Sequence, residues 1–159
     1  MKARVPRFIA PCLPRPARKP PAGSGWLHEI KYDGYRLMAE RRDRHVRLIT
    51  KNGFDWTDRF PAVASEVAAF NCTSCVIDGE IVSSDERGVP SFAQLRSRKH
   101  PVQLYAFDLV ELNGVDLRNE PIETRKELLR HLLNPHSTLV LYSERERKEQ
   151  WNKSRSAQR

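Results

Sequence analysis

Residues 76–82, Val-Ile-Asp-Gly-Glu-Ile-Val, alternate so that Ile77 and Ile81 fall on one face of a strand and Asp78 and Glu80 on the other. Two acids on one face of a β-branched strand are unusual for a simple core strand and suit a cleft wall. Residues 102–110 predict a second strand, with Tyr105, Phe107 and Leu109 sharing a face. Two more strands are expected at 35–41 and 46–50, around a turn at Arg42-Asp43-Arg44, and another at 138–142. Residues 26–36 read as a strand-like run ending at Lys31, an abrupt Asp33-Gly34 turn and a restart at Tyr35. Alternation there puts Leu27, Glu29 and Lys31 on one face and Trp26, His28 and Ile30 on the other.

Helical spacing enters in three places. Pro61 opens a helix carrying Val63, Val67 and Phe70 toward the core and ending near Asn71. Phe92 and Leu95 mark a short helix whose basic end runs through Arg96, Arg98 and Lys99, after a polar turn at 83–88. Residues 117–133 hold a helix after Pro121, with Leu128, Leu129, Leu132 and Leu133 on its core face, and Asn113-Gly114 before it is a hairpin turn.

Composition narrows the partners. The chain has 159 residues, the size of one domain, with 28 Lys+Arg against 20 Asp+Glu and a net charge of +8. That excess favours a polyanion, nucleic acid first. No apolar run is long enough to span a membrane and the start lacks a signal-peptide segment, so the expectation is a cytoplasmic protein with reduced thiols and no membrane partner. Cys72 and Cys75 have Cys-x-x-Cys spacing, but no second pair completes a zinc site. Residues 1–24 form a Pro-rich, basic lead-in, 25–143 the folded part, and 144–159 a polar, basic tail expected to be disordered.

The run Glu29-x-Lys31-x-Asp33-Gly34-x-Arg36 resembles motif I of the covalent nucleotidyltransferases, the ATP-dependent DNA ligases, RNA ligases and capping enzymes. Residues 51–61, Lys-Asn-Gly-Phe-Asp-Trp-Thr-Asp-Arg-Phe-Pro, are similar to motif Ia of the ligases, with Lys51 where an arginine is usual; lysine keeps the charge but not the planar fork. The Asp78-Gly79-Glu80 strand looks like motif III, and Phe107-Asp108-Leu109 resembles motif IIIa. The four occur in the family's order, and the stretches around Asp116-Leu117-Arg118 and Arg125-Lys126 are similar to the bacterial ligase D, end-joining group. The chain is identified as a member of the ATP-dependent DNA ligase family, resembling the ligase D adenylation domain.

The resemblance implies an α+β fold, an antiparallel sheet with flanking helices that forms an incomplete nucleotidyltransferase (ATP-grasp-like) adenylation domain, and a specific chemistry. Lys31 would be the nucleophile that attacks the α-phosphate of ATP, giving a lysyl-AMP. A free lysine has a pKa near 10.4, so burial and nearby cations would have to supply the amine form. Glu29 would meet the exocyclic amine of adenine, Phe107 the face of the base, and Arg36 and Glu80 the ribose side. Lys51 would join the nucleotide site, Asp33, Gly34 and Asp78 would support the motifs, and Glu80 would share Mg2+, a hard cation that prefers oxygen ligands. AMP would pass to a DNA 5′-phosphate, and a 3′-hydroxyl would displace it to seal the nick. DNA is then the partner, with Ku or other end-joining proteins in double-strand-break repair at the bacterial nucleoid. The later Glu-Gly-x-Val-x-Lys and Lys-x-Lys motifs and the OB-fold domain are not found in the sequence. Two expectations follow: a truncated ligase, impaired unless a second polypeptide completes it, or a catalytically inactive remnant that binds nucleotide or DNA weakly.

Overall fold

The computed structural model describes residues 8–13, 15–16, 18–19, 21, 23, 26–84, 91–97 and 100–144. Its centre is one sheet of β1 (Tyr35–Arg42), β2 (His45–Thr50), β3 (Ser74–Val82), β4 (Gln103–Leu112), β5 (Val115–Asp116) and β6 (Val140–Tyr142). The spatial order is β2-β1-β3-β4-β5, antiparallel throughout, and β6 pairs with β4 in parallel. To the expected antiparallel sheet β6 adds one parallel pairing. It arises because α3 (Ile122–Leu132) carries the chain back along the sheet before β6 begins, a crossover that parallel pairing needs.

Alternation splits the sheet into two faces. Leu37, Ala39, Leu48, Ile77, Ile81, Leu104, Ala106 and Leu109 form the main core. Three helices cover it: α1 (Pro61–Ala68) with Val63 and Val67, α2 (Phe92–Ser97) with Leu95, and α3 with Leu129. Phe70 joins the same core, as its spacing predicts. On the opposite face Met38, Val76 and Val110 pack together, under Ile9 of the N-terminal segment. Arg36, Asp78 and Glu80 share that face, and the site lies there.

Local chemistry explains the turns. Asn113 (φ 50°) and Gly114 (φ 81°) both take positive φ, as the two-residue hairpin between β4 and β5 requires. The turn between β1 and β2 narrows to Asp43-Arg44, with Asp43 at φ 54°.

Three further expectations change. Residues 26–31 do not form a strand; only Glu29 makes a bridge, while Trp26 is 60% and Ile30 45% exposed. The Asp33-Gly34 bend leads into β1, and among the described residues no strand precedes it. Tyr105, Phe107 and Leu109 do not share a face either: Leu109 is in the core, whereas Phe107 lines a cleft. The register shifts between Val76 and Ile77 and again between Asp78 and Gly79, so β4 carries bulges that reset its parity. Helix α1 also stops at Ala68. Arg98, Lys99, most of the 83–88 turn and the 145–159 tail lie outside the described residues.

Candidate active site

The polar face opens into a cleft of about 750 Å³. Glu29, Lys31, Asp33, Gly34, Arg36, Lys51, Asp78, Glu80 and Phe107 all line it. Four neighbouring parts of the chain deliver eight of them, and the loop after β2 brings Lys51. The segment before β1 brings Glu29 to Gly34, β1 and β3 bring Arg36, Asp78 and Glu80, and β4 brings Phe107. Register does the fine placement: Glu80 stands opposite Arg36, and Asp78 opposite Asp108.

Gly34 is where motif I meets motif III. Its amide donates to Glu80 Oε1 at 3.0 Å. Its φ is not positive, so conformational freedom is not what selects glycine here. A methyl group would overlap the Ile81 carbonyl oxygen and stand 2.9 Å from Val82 Cγ1. Close approach is the reason.

The floor is a pair of arginine–aspartate forks. Arg36 donates to Asp78 through Nε at 2.6 Å and Nη2 at 2.7 Å, and Nη2 also reaches the Cys12 carbonyl at 3.2 Å. Arg125 donates to Asp108 through Nε at 2.8 Å and Nη2 at 3.0 Å. Such planar, bidentate pairs fix both partners in orientation. The Arg36 guanidinium also lies 4.6 Å from the centre of the Phe107 ring, so a base stacking on Phe107 must use the other face. A smaller cavity of about 240 Å³ continues the site beneath residues 9–12, sharing Cys12, Asp78 and Asp108 with the cleft.

Burial sets the ionisation of the two motif III acids. It pushes the Asp78 carboxyl above the ordinary range, against the hydrogen bonds and charge of Arg36, and nearby Asp108 adds to the rise. It also raises the Glu80 carboxyl, against the Gly34 amide and the charges of Arg36 and Lys31. For Arg36, burial alone acts downward, but the hydrogen bonds and charge of Asp78 carry its pKa up.

Lys31 stands exposed at the cleft, without the burial expected of it, and Asp33 and Lys51 are exposed beside it. Lys51 sits in a short loop closed by Gly53 N–H to the Thr50 carbonyl at 2.8 Å and by Phe54 N–H to Thr50 Oγ1 at 3.1 Å. Tyr32 stacks on Tyr105 with ring centres 4.3 Å apart, which pins the chain between Lys31 and the bend.

A family model described as the ATP dependent DNA ligase domain matches residues 17–157. The chain belongs to the ATP-dependent DNA ligase family. It is 40% identical over 137 residues to the multifunctional non-homologous end joining protein LigD of Pseudomonas aeruginosa, covering 83% of this chain and 16% of that protein. Its fold is similar to the crystal structure of the ligase domain of Mycobacterium tuberculosis LigD, with a TM-score of 0.66, 34% identity, and coverage of 79% of this chain and 43% of that one. It is also similar to a mycobacterial DNA ligase D complexed with ATP and MES, with a TM-score of 0.61, 34% identity, and coverage of 72% and 38%. The chain thus spans about a sixth of the LigD proteins it matches and less than half of their ligase domains.

In this ligase-family chain one buried group lies outside the predicted site residues. Lys126 of α3 has a side chain only 1% exposed and forms an ion pair with Glu29. The signal was available, because position 126 falls on the stripe of Ile122, Leu129 and Leu133 that faces the sheet. A lysine on an apolar stripe must meet acceptors inside the fold. Asp108 and Arg125 likewise pair at the site although the motifs that hold them assign them no role.

Proposed function

We propose that this chain forms the nucleotide-binding face of an ATP-dependent DNA ligase, with Lys31 as the nucleophile. The observation that carries the reading is the convergence of motif I, motif Ia, motif III and motif IIIa side chains on one cleft with an exposed lysine. In the first step the Lys31 Nζ lone pair attacks the α-phosphorus of ATP. A P–N bond forms, the bond to pyrophosphate breaks, and Nζ loses its proton to solvent. The AMP then passes to a DNA 5′-phosphate, and a 3′-hydroxyl displaces it. Arg36 and Glu80 hold the ribose side, Phe107 offers a ring face to the base, and Lys51 contributes positive charge toward the phosphates.

Mg2+ fits this site in one way. Among the described residues no group of three or more acids, histidines or cysteines is arranged to hold a metal. Mg2+ is ordinarily held by one or two carboxylates together with substrate phosphates, so Glu80 with the nucleotide is the fitting donor set. When bound, the ion offsets phosphate charge. The proposed setting is DNA end joining at the bacterial nucleoid, with Ku or other end-joining proteins as partners. Among the described residues no helix is long and apolar enough to cross a membrane.

The test is label transfer from ATP. Label in the α-phosphate should become covalently attached to protein and label in the γ-phosphate should not, and Lys31→Ala should abolish attachment. Bound ATP without attachment would favour the other reading, a non-catalytic nucleotide- or DNA-binding module.

A further inference from the structure

Lys126 is an ammonium shut away from water with every donor used. It donates to Glu29 Oε1, to the Phe107 carbonyl at 3.1 Å and to the Ser143 carbonyl at 3.2 Å. The Tyr142 ring lies 5.0 Å from its Nζ. Three donors on three acceptors is the complete set a buried ammonium needs. Two of the acceptors belong to the cleft: Glu29 and Phe107 both line it, and the third marks the end of β6. The same cation therefore ties the edge-reading acceptor to the backbone beneath the stacking ring, across 97 residues of sequence in one case and 19 in the other.

The consequence is geometric. Glu29 keeps about a third of its side-chain surface exposed, and Lys126 engages Oε1, so Oε2 is the oxygen left to meet a ligand. Paired with an ammonium, Glu29 presents a carboxylate, and a carboxylate only accepts hydrogen bonds. It welcomes the exocyclic amine of adenine and opposes the keto oxygen that guanine carries in that place. We infer that Lys126 is the positioning residue of the base subsite, holding Glu29 and the Phe107 backbone so that the cleft selects adenine over guanine. The inference rests on the reading of the cleft as an ATP site.

The experiment is equilibrium binding of ATP and of GTP to the purified chain, wild type beside Lys126→Met and Lys126→Arg, with a thermal melt to show each is folded. The readout is the ratio of the two affinities, because a merely structural role would weaken both nucleotides alike. Wild type should prefer ATP. Lys126→Met should narrow that preference by about tenfold, the size of one base contact to a charged group. Lys126→Arg, which keeps a charged donor, should recover much of it. A folded Lys126→Met with the wild-type ratio would overturn the inference and leave the ATP reading standing, as would a wild type that binds both nucleotides equally. A wild type that binds neither would overturn both. Should Lys126→Met not fold, the wild-type chain carries the test through the nitrogen NMR signal of Lys126 Nζ. That signal should move on saturation with ATP; a signal unmoved by saturating ATP overturns the inference.

Discussion

Gly34→Ala is the smallest change that should damage both the fold and the chemistry. The added methyl would overlap the Ile81 carbonyl oxygen and lie 3.0 Å from its carbon. Neither atom belongs to a flexible side chain, so the bend itself must withdraw from β3 by roughly 1 Å, the misplacement that costs about a hundredfold in a positioned reaction. The withdrawal stretches the 3.0 Å bond from the Gly34 amide to Glu80. Overpacking costs ~1–3 kcal/mol and an amide bond to a charged acceptor is worth ~1.5–3 kcal/mol. The two losses share one movement, so the expected destabilisation is about 2–3 kcal/mol, a fall in Tm of roughly 5–10 °C for a chain of this size. Lys31 lies three residues upstream and would be carried out of line. A thermal melt reads the first effect and the rate of label transfer from ATP the second. A variant with wild-type Tm and wild-type labelling would refute the close-packed junction of motifs I and III.

Three other outcomes follow from the same geometry. Asp78→Asn should lower the urea midpoint by the equivalent of about 2 kcal/mol with an unchanged slope, because Arg36 loses its fork while remaining half-buried; an unmoved midpoint would show that the pair holds nothing. Glu80 has its folded pKa raised by burial, so the folded state takes up the proton first. The stability it contributes is therefore fully present below the ordinary glutamate range and is lost as pH rises through the raised value. The Tm of wild type should accordingly gain on that of Glu80→Gln as pH falls from neutral, and a constant gap would contradict it. Leu129→Ala, at a site with no exposure, should cost about 2–5 kcal/mol by urea unfolding, since Leu129 seats α3 against the core; a loss below ~1 kcal/mol would contradict that seating.

The features that could be read from sequence were those governed by local period. Ile77 and Ile81 against Asp78 and Glu80 give the two faces of β3 directly, and Asn113-Gly114 gives its hairpin. The resemblance to the ligase motifs points to nine residues that the fold gathers into one cleft, although they span positions 29 to 107. What escaped depends on contacts between distant segments. The parity of β4 changes at bulges that only its pairing with β3 creates, which is how Phe107 faces the cleft and Leu109 the core. The residues before Lys31 alternate like a strand, yet of residues 26–31 only Glu29 makes a bridge. Lys126 sits on the apolar stripe of α3, but its acceptor Glu29 lies 97 residues away in sequence and is identified only once α3 is docked.

The central claim is that Lys31 becomes the covalent carrier of AMP. The measurement that tests it most directly is an intact-mass spectrum of the folded chain after incubation with ATP and Mg2+, followed by fragmentation to locate the adduct. The account predicts a mass increase of one AMP, on Lys31, absent from Lys31→Ala. An adduct on another residue, or none on a chain shown to bind ATP, would contradict it.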